Sequence, residues 1–428
     1  MLRRGIVADL LGPGGNAIGL LRFSLAALVI VHHTRVLGGF GEDPVLRFSR
    51  GQADLGVFAV AGFFAISGFL VTRSAERSST ARYLWHRALR VFPAFWVCLI
   101  VIALGFGPLM WLHEHGTLSG YGTSADASPL GYLANNFYLL INQVRIDGLL
   151  SGNPYPTAIN GSLWTLAYEF SWYFVVALAA AAGLFRRRLA IFALIAFLVG
   201  SYLLAADPLG GIPVIGYALS SRFGLAFSLG MAAYLWRDRI PLDDRLAVVA
   251  GLAFVVTLRF GFFSTIGMAA LAYGVLWAAW RLPFRRFGTR IDLSYGVYIY
   301  AFPVQQTIAL FGGHALGAPL FLAASLAGTL PLAFLSQVVV ERPALRLKDA
   351  VIEARHLTIR PPVDRRRLAL GVVGEGDPNP LVDPALGFVA GHPDPANLGR
   401  ARYVRSAVGL EVEPDDLDRS DLGDAGRQ

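Results

Sequence analysis

Cysteine and charged residues are both scarce in this sequence. The 428 residues include one cysteine, Cys98, so no disulfide framework can form within the chain. Only 15% of the residues are charged whereas 55% are hydrophobic, a balance far more apolar than that of an ordinary soluble domain. A disulfide-stapled scaffold and a typical soluble domain are therefore excluded, and Cys98, in an apolar run, is expected to be a small buried side chain.

Three features that mark other protein classes are also missing. The sequence has no glycine-rich phosphate loop of the P-loop type, no internal repeat at a solenoid period, and no small-residue cleavage site after its first apolar run. The first run is therefore expected to stay in the protein as a signal anchor. The net charge of +8 would suit nucleic acid, but the arginines fall in short loops between apolar runs, so no nucleic-acid partner is expected.

Long apolar runs recur along the chain and predict membrane-spanning helices. A run of about 18 residues or more can cross a hydrocarbon core about 30 Å thick. Ten spans are predicted, at 17–37, 53–72, 90–110, 161–183, 189–206, 214–236, 246–261, 263–280, 293–312 and 318–340. Every second loop is rich in arginine, and the positive-inside rule assigns those loops to the cytoplasm. The sequence thus predicts an all-α polytopic protein with both termini in the cytoplasm. The expected membrane is the cell membrane, in this case the inner membrane of a bacterium.

The composition of the chain changes near residue 350. Residues 1–350 contain all of the predicted spans and form the predicted membrane domain. Residues 351–428 are rich in Asp, Pro, Gly and Arg, as in GEGDPNPLVDPALG, and offer little that could form a packed core. This second segment is predicted to be a mostly disordered cytoplasmic tail.

The first span carries side chains that are costly in a membrane. A titratable group there is expected to face the protein interior or a water-filled cavity. His33 follows Arg22 by 11 positions, which brings it within about 20° of the same helix face, whereas the neighbouring His32 lies about 100° away. Arg22 and His33 are therefore expected to point into the bundle. The alternative is that Arg22 snorkels to the headgroups and His33 caps the outer end of the helix.

This Arg and His pair and several later segments together resemble a known family. After the ten-residue gap between Arg22 and His33 come, in order, FFAISGFLVT, HRALRVFPAFW, GSLWTLAYEFSWY, LSYGVYIYAFPV and VVVERPALR. The set resembles the integral-membrane acyltransferases of acyltransferase family 3, over residues 17 to about 346. The chain departs from the family pattern at Ala61 and Ala301, where many members have Asp and His, so neither position carries essential chemistry here.

The resemblance implies a membrane-bound O-acyltransferase. Members of that family transfer an acyl group, usually acetyl from acetyl-CoA, to hydroxyls of sugars, cell-surface polysaccharides or glycolipids. An acyl-CoA donor, a carbohydrate or glycolipid acceptor and the lipid bilayer are thus the expected partners, and no metal is expected. A multi-pass secondary transporter or flippase would also place Arg, His and Glu in the membrane and is the alternative, although no repeated halves are visible.

Within that expectation, the catalytic and donor-binding residues are assigned by charge and depth. Arg87 and Arg90, neighbours on one helix face, suit the phosphates of the donor, or merely satisfy the positive-inside rule. His33 is expected to take the proton from the acceptor hydroxyl as a general base, or to carry the acyl group as a covalent relay. Glu169, at a similar depth, is the carboxylate expected to assist it, and Arg22 is expected to guide phosphate or the pantetheine arm. Glu169 has a structural alternative, a hydrogen bond to Ser162 or Tyr173.

Aromatic and small residues complete the candidate set. Trp164, Tyr168 and Tyr173 are expected either to stack on a sugar acceptor or to anchor the helix at the membrane interface. Ser67 and Gly68 are expected to allow close helix packing rather than to supply a nucleophile, because small residues let membrane helices approach.

Overall fold

A helix stands at nine of the ten predicted spans. The computed structural model describes residues 4–124, 127–185, 191–192, 194–196, 198–199, 222–348, 403–406 and 409–412. In chain order the helices are α1 (Ile18–Gly38), α2 (Pro44–Phe48), α3 (Leu55–Glu76), α4 (Thr80–His115), α5 (Pro129–Asn136), α6 (Trp164–Ala181), α7 (Arg222–Leu235), α8 (Asp244–Phe260), α9 (Phe263–Arg281), α10 (Ser294–Leu310) and α11 (Ala318–Lys348). The predicted span at 189–206 lies largely outside the described residues.

The lengths and compositions of these helices bear on the membrane prediction. Five of the described helices are long and apolar enough to cross a bilayer: α1, α3, α4, α9 and α11. The predicted helical fold is therefore confirmed for the described residues, and the five candidate spans agree with the predicted polytopic membrane protein. The count of ten spans stays a prediction.

Segments that were predicted to lie on one side of the membrane meet at one end of the helix bundle. The N-terminal strand β1 (Arg4–Ile6) pairs antiparallel with β2 (Pro241–Asp243), which directly precedes α8. The indole nitrogen of Trp85, at the start of α4, donates to the carbonyl oxygen of Leu347, at the end of α11, at 3.4 Å. We call this end, where the arginine-rich loops gather, the basic end. Its position in the cytoplasm stays a prediction.

The tail forms a unit of its own. The chain divides into two units, Met1–Arg360 and Pro361–Gln428. In the second unit the described residues are β3 (Tyr403–Ser406) and β4 (Gly409–Val412), which pair antiparallel. The remainder of the segment predicted to be disordered lies outside the described residues.

Helices α3 and α7 pack with their backbones in contact. A Cβ atom added at Gly68 would lie 2.0 Å from the carbonyl oxygen of Phe227, and one at Gly230 would lie 2.1 Å from that of Ala65. Only glycine allows this approach, so the close packing predicted for Gly68 is confirmed. The contact fixes the rotation of α3 about its axis and thereby the direction of its other side chains.

Candidate active site

A cavity of about 270 Å³ lies among α3, α4, α6 and α10. The chain directions of these helices order its lining from the basic end inward. The cationic side chains of the lining all lie toward the basic end, where apolar side chains such as Leu70, Val71 and Leu345 stand among them: Arg22, Arg87, Arg90 and Lys348. Polar side chains without positive charge follow: Ser67, Glu169 and Tyr173. The deepest part is lined mainly by apolar side chains, with two hydroxyls in its wall: Val60, Phe63, Phe64, Leu166, Thr165 and Tyr298.

Glu169 is hydrogen-bonded inside this cavity. Its Oε1 accepts from the Ser67 hydroxyl at 3.0 Å and from the Tyr173 hydroxyl at 2.5 Å. The sequence analysis gave a hydrogen bond to Ser162 or Tyr173 as the alternative role of Glu169. The bond to Tyr173 is present, and the serine that bonds Glu169 is Ser67. Because both donors also line the cavity, the three side chains form one polar patch midway along it.

Two carboxylates that the sequence analysis did not single out hold the arginines of the basic end. Asp292, just before α10, has its Oδ2 2.6 Å from Arg22 Nη1 and 2.8 Å from Arg90 Nη2. Arg90 Nη1 also lies 3.2 Å from Oε2 of Glu341, which ends a π-helical turn within α11. Burial by itself would raise the pKa of Asp292, but Arg22, Arg90 and the hydrogen bonds from Ser294 hold it at about 2. Arg22 and Arg90 therefore belong to an ion-pair network whose acidic members the sequence analysis did not identify.

Arg87 differs from Arg90 although the two are neighbours on α4. Among the described residues it forms no ion pair, and its Nε is buried without a hydrogen-bond partner. Its guanidinium lies 5.8 Å from the centre of the Tyr173 ring. A buried, unpaired guanidinium donor is costly, so Arg87 is the arginine of this pair that is poised to receive an anionic group.

His33 lies outside the cavity. Its Nδ1 is buried without a hydrogen-bond partner, and its ring meets the ring of Phe302 edge-on at 4.9 Å. Phe302 stands one turn further along α10 than Tyr298, which lines the cavity. Arg22 pairs with Asp292, which directly precedes α10, and His33 contacts Phe302 on α10. Both side chains of α1 therefore point toward α10, as expected for two residues on one face of a helix. The structure does not bring His33 and Glu169 together.

His32 is held by carboxylates of the following loop. Its Nδ1 lies 3.1 Å from Oδ2 of Asp43 and 4.0 Å from Oδ1 of Asp54. Asp43 also accepts from the backbone N–H groups of Val45 and Leu55. His32 thus connects α1 to the starts of α2 and α3.

Within the described ranges, no group of three or more His, Cys, Asp or Glu side chains is arranged to hold a metal ion.

The three aromatic side chains predicted to hold a sugar do not surround one site. Tyr173 lines the cavity and bonds Glu169, whereas Trp164 and Tyr168 are not among the cavity residues. Trp164 meets Tyr168 edge-on at 5.2 Å and is 44% exposed. Trp164 lies on the opposite face of α6 from Tyr173, because nine residues turn a helix by about 180°. Thr165 and Leu166, at nearly the same depth as Trp164, do line the cavity.

Comparison with known proteins bears on what this arrangement does. The model of an acyltransferase domain family matches residues 16–338. An O-acetyl transferase of Shigella phage Sf6 is 30% identical over 312 residues, covering 68% of this chain and 85% of that protein. Nodulation protein 10 of Rhizobium leguminosarum bv. viciae is 30% identical over 331 residues, covering 70% and 85%. No solved structure matches the chain.

Proposed function

We propose that this chain, which belongs to acyltransferase family 3 and is therefore an O-acyltransferase, transfers an acetyl group from acetyl-CoA to a hydroxyl of a carbohydrate. The acceptor would be a cell-surface polysaccharide or a glycolipid at the cell membrane. The family match over residues 16–338 carries this proposal, and the O-acetyl transferase of the phage supports acetyl as the group. A transporter or flippase is not proposed, because the same match assigns the chain to an enzyme family.

In this scheme the donor enters from the basic end. Coenzyme A carries its phosphates at one end and its thioester at the other, and the arm between them contains two amides and a hydroxyl. The unpaired Nε of Arg87 suits a phosphate oxygen, since a guanidinium binds phosphate by charge and by paired hydrogen bonds. Glu169, further along the wall, suits the amide N–H groups of the arm as an acceptor.

His33 supplies the base in the proposed reaction. The acceptor hydroxyl oxygen forms a bond to the thioester carbonyl carbon, the carbon–sulfur bond breaks, and the hydroxyl proton passes to a ring nitrogen of His33 and then to the coenzyme A sulfur. The relay alternative uses the same atoms in two steps: a ring nitrogen of His33 first displaces the thiol, and the acceptor hydroxyl then displaces His33. Both schemes need an imidazole nitrogen free of other partners, which agrees with the unpaired Nδ1 of His33. Because His33 does not line the cavity, both schemes also require a movement of the wall near Tyr298 and Phe302 that brings the His33 ring to the thioester.

Transfer of label from acetyl-CoA tests the function directly. Purified protein is incubated with acetyl-CoA labelled in the acetyl group and with membranes that contain the native surface glycans and lipids. We expect label in an alkali-labile ester on a glycan or lipid, together with release of the free thiol of coenzyme A. Accumulation of label inside sealed vesicles without ester formation would instead mean that the protein transports its substrate.

Arg87→Ala is expected to raise the KM for acetyl-CoA about 10- to 100-fold with a smaller change in kcat, because a hydrogen bond between charged groups is worth about 1.5–3 kcal/mol. Steady-state kinetics with varied acetyl-CoA measure this. Arg82→Ala is the matched control, since Arg82 is an exposed arginine on the same helix that does not line the cavity. Equal KM values in the two variants would remove Arg87 from the donor site.

A further inference from the structure

The deep end of the cavity presents more apolar surface than an acetyl group, with its single methyl, can cover. Val60, Phe63 and Phe64 reach it from α3, and Leu166 reaches it from α6. Among the described lining residues, the charged side chains all lie nearer the basic end than these four. A donor whose phosphates stay with Arg87 would therefore direct its thioester and acyl group toward apolar surface.

The end wall of this apolar part is held by ring packing and hydrogen bonds. The rings of Phe63 and Tyr298 meet edge-on at 6.0 Å. The Tyr298 hydroxyl donates to the carbonyl oxygen of Ser162 at 3.0 Å and also shares a short hydrogen bond with the Thr165 hydroxyl. Since these bonds occupy both hydroxyls, the wall offers an incoming chain an apolar ring rather than a polar group.

The apolar walls favour an acyl chain longer than acetyl. The cavity measures about 270 Å³ over its whole length, and its deep part is lined mainly by apolar side chains. Because apolar walls favour each additional methylene that leaves water, a longer acyl chain gains binding there that an acetyl group does not.

We propose that the apolar end of the cavity is an acyl pocket that accepts acyl chains longer than acetyl, and that Phe63 limits their length. The inference rests on the proposed function, since it takes acyl-CoA as the donor. It adds a substrate class, the thioesters of short-chain fatty acids, and a residue that determines specificity. Leu166 lines the same part of the cavity from α6.

The test compares acyl donors of increasing length. The ratios of kcat/KM for butyryl-CoA and hexanoyl-CoA to that for acetyl-CoA are measured by thiol release in native membranes. Phe63→Ala is expected to raise these ratios by about fourfold for each further methylene that the enlarged pocket buries. Leu166→Phe fills the pocket and is expected to lower the same ratios while acetyl transfer continues.

The control is Phe58→Ala on the same helix, because Phe58 packs against Phe254 and Phe263 and does not line the cavity. Its ratios should equal those of the unaltered protein. If Phe63→Ala does not fold, the ratios of Leu166→Phe decide alone. Acetyl transfer with unchanged ratios in both pocket variants overturns the acyl pocket, whereas thiol release from no acyl-CoA at all overturns the proposed function instead.

Discussion

His33→Ala should lower acyl transfer by about 10²- to 10⁴-fold, the usual loss when a general base is removed. Among the described residues the Nδ1 of His33 has no hydrogen-bond partner, and its ring meets the rings of Phe302 and His32. Loss of the imidazole therefore breaks no polar contact that the structure contains, and the fold should survive. Transfer is measured at matched membrane expression, with the thermal unfolding midpoint determined alongside.

His32→Ala is the neighbouring control and should retain most of the transfer activity. His32 binds Asp43, whose loss of one hydrogen bond should cost about 1 kcal/mol of stability. Burial raises the pKa of Asp43, but hydrogen bonds from the N–H groups of Leu55 and Val45 and from His32 hold it below the usual range. The two backbone hydrogen bonds remain in His32→Ala, so Asp43 keeps most of its partners. An inactive but folded His32→Ala beside an active His33→Ala would mean that the reactive face of α1 is the other one.

Asp292→Asn should destabilise the protein by about 2–3 kcal/mol, somewhat less than the 3–5 kcal/mol seen when one partner of a fully buried ion pair is removed. The expected loss of stability is smaller because the ion pair is partly exposed: the side chains of Asp292 and Arg22 are 19% and 26% exposed. The amide still accepts hydrogen bonds, but two guanidinium groups lose the charge that they share. The free energy of unfolding in detergent or lipid measures the loss.

Two further variants decide what the network does. Glu42→Gln is the control, because Glu42 pairs with Arg47 at the exposed surface, where an ion pair is worth little. Arg22→Gln should reproduce most of the loss, and the double variant with Asp292→Asn should add little to either, as expected for residues that act on each other. A stable Asp292→Asn with a raised KM for acetyl-CoA would make the network part of the donor site rather than its support.

The helices could be predicted from the sequence, and so could the shared face of Arg22 and His33 on α1, because both follow from the local sequence pattern. An apolar run of sufficient length forms a helix wherever lipid surrounds it, and the angle between Arg22 and His33 depends only on helix geometry. The division between the predicted spans 246–261 and 263–280 agrees with the structure, in which α8 ends at Phe260 and α9 begins at Phe263.

The partners of the arginines were not predictable, because they come from distant parts of the chain. Asp292 lies 270 residues after Arg22, and no periodicity relates the two. Arg87 and Arg90 look equivalent in sequence, yet they differ because only Arg90 meets Asp292 and Glu341. The one available signal was the position of both carboxylates beside predicted basic loops, where an arginine on a neighbouring helix needs a counter-charge.

The close backbone contacts at Gly68 and at Gly230 also bear on how the cavity changes shape with time. Two helices whose backbones interlock cannot slide or rotate separately, so α3 and α7 must move as one rigid body that carries Phe63 and Ser67 with it. On the opposite side, α6 and α10 are tied across the cavity by the hydroxyls of Thr165 and Tyr298, and such side-chain bonds break and re-form far more readily than helices separate. We therefore expect the widening that admits and releases a donor to break the hydrogen bonds of α6 before it separates α3 from α7.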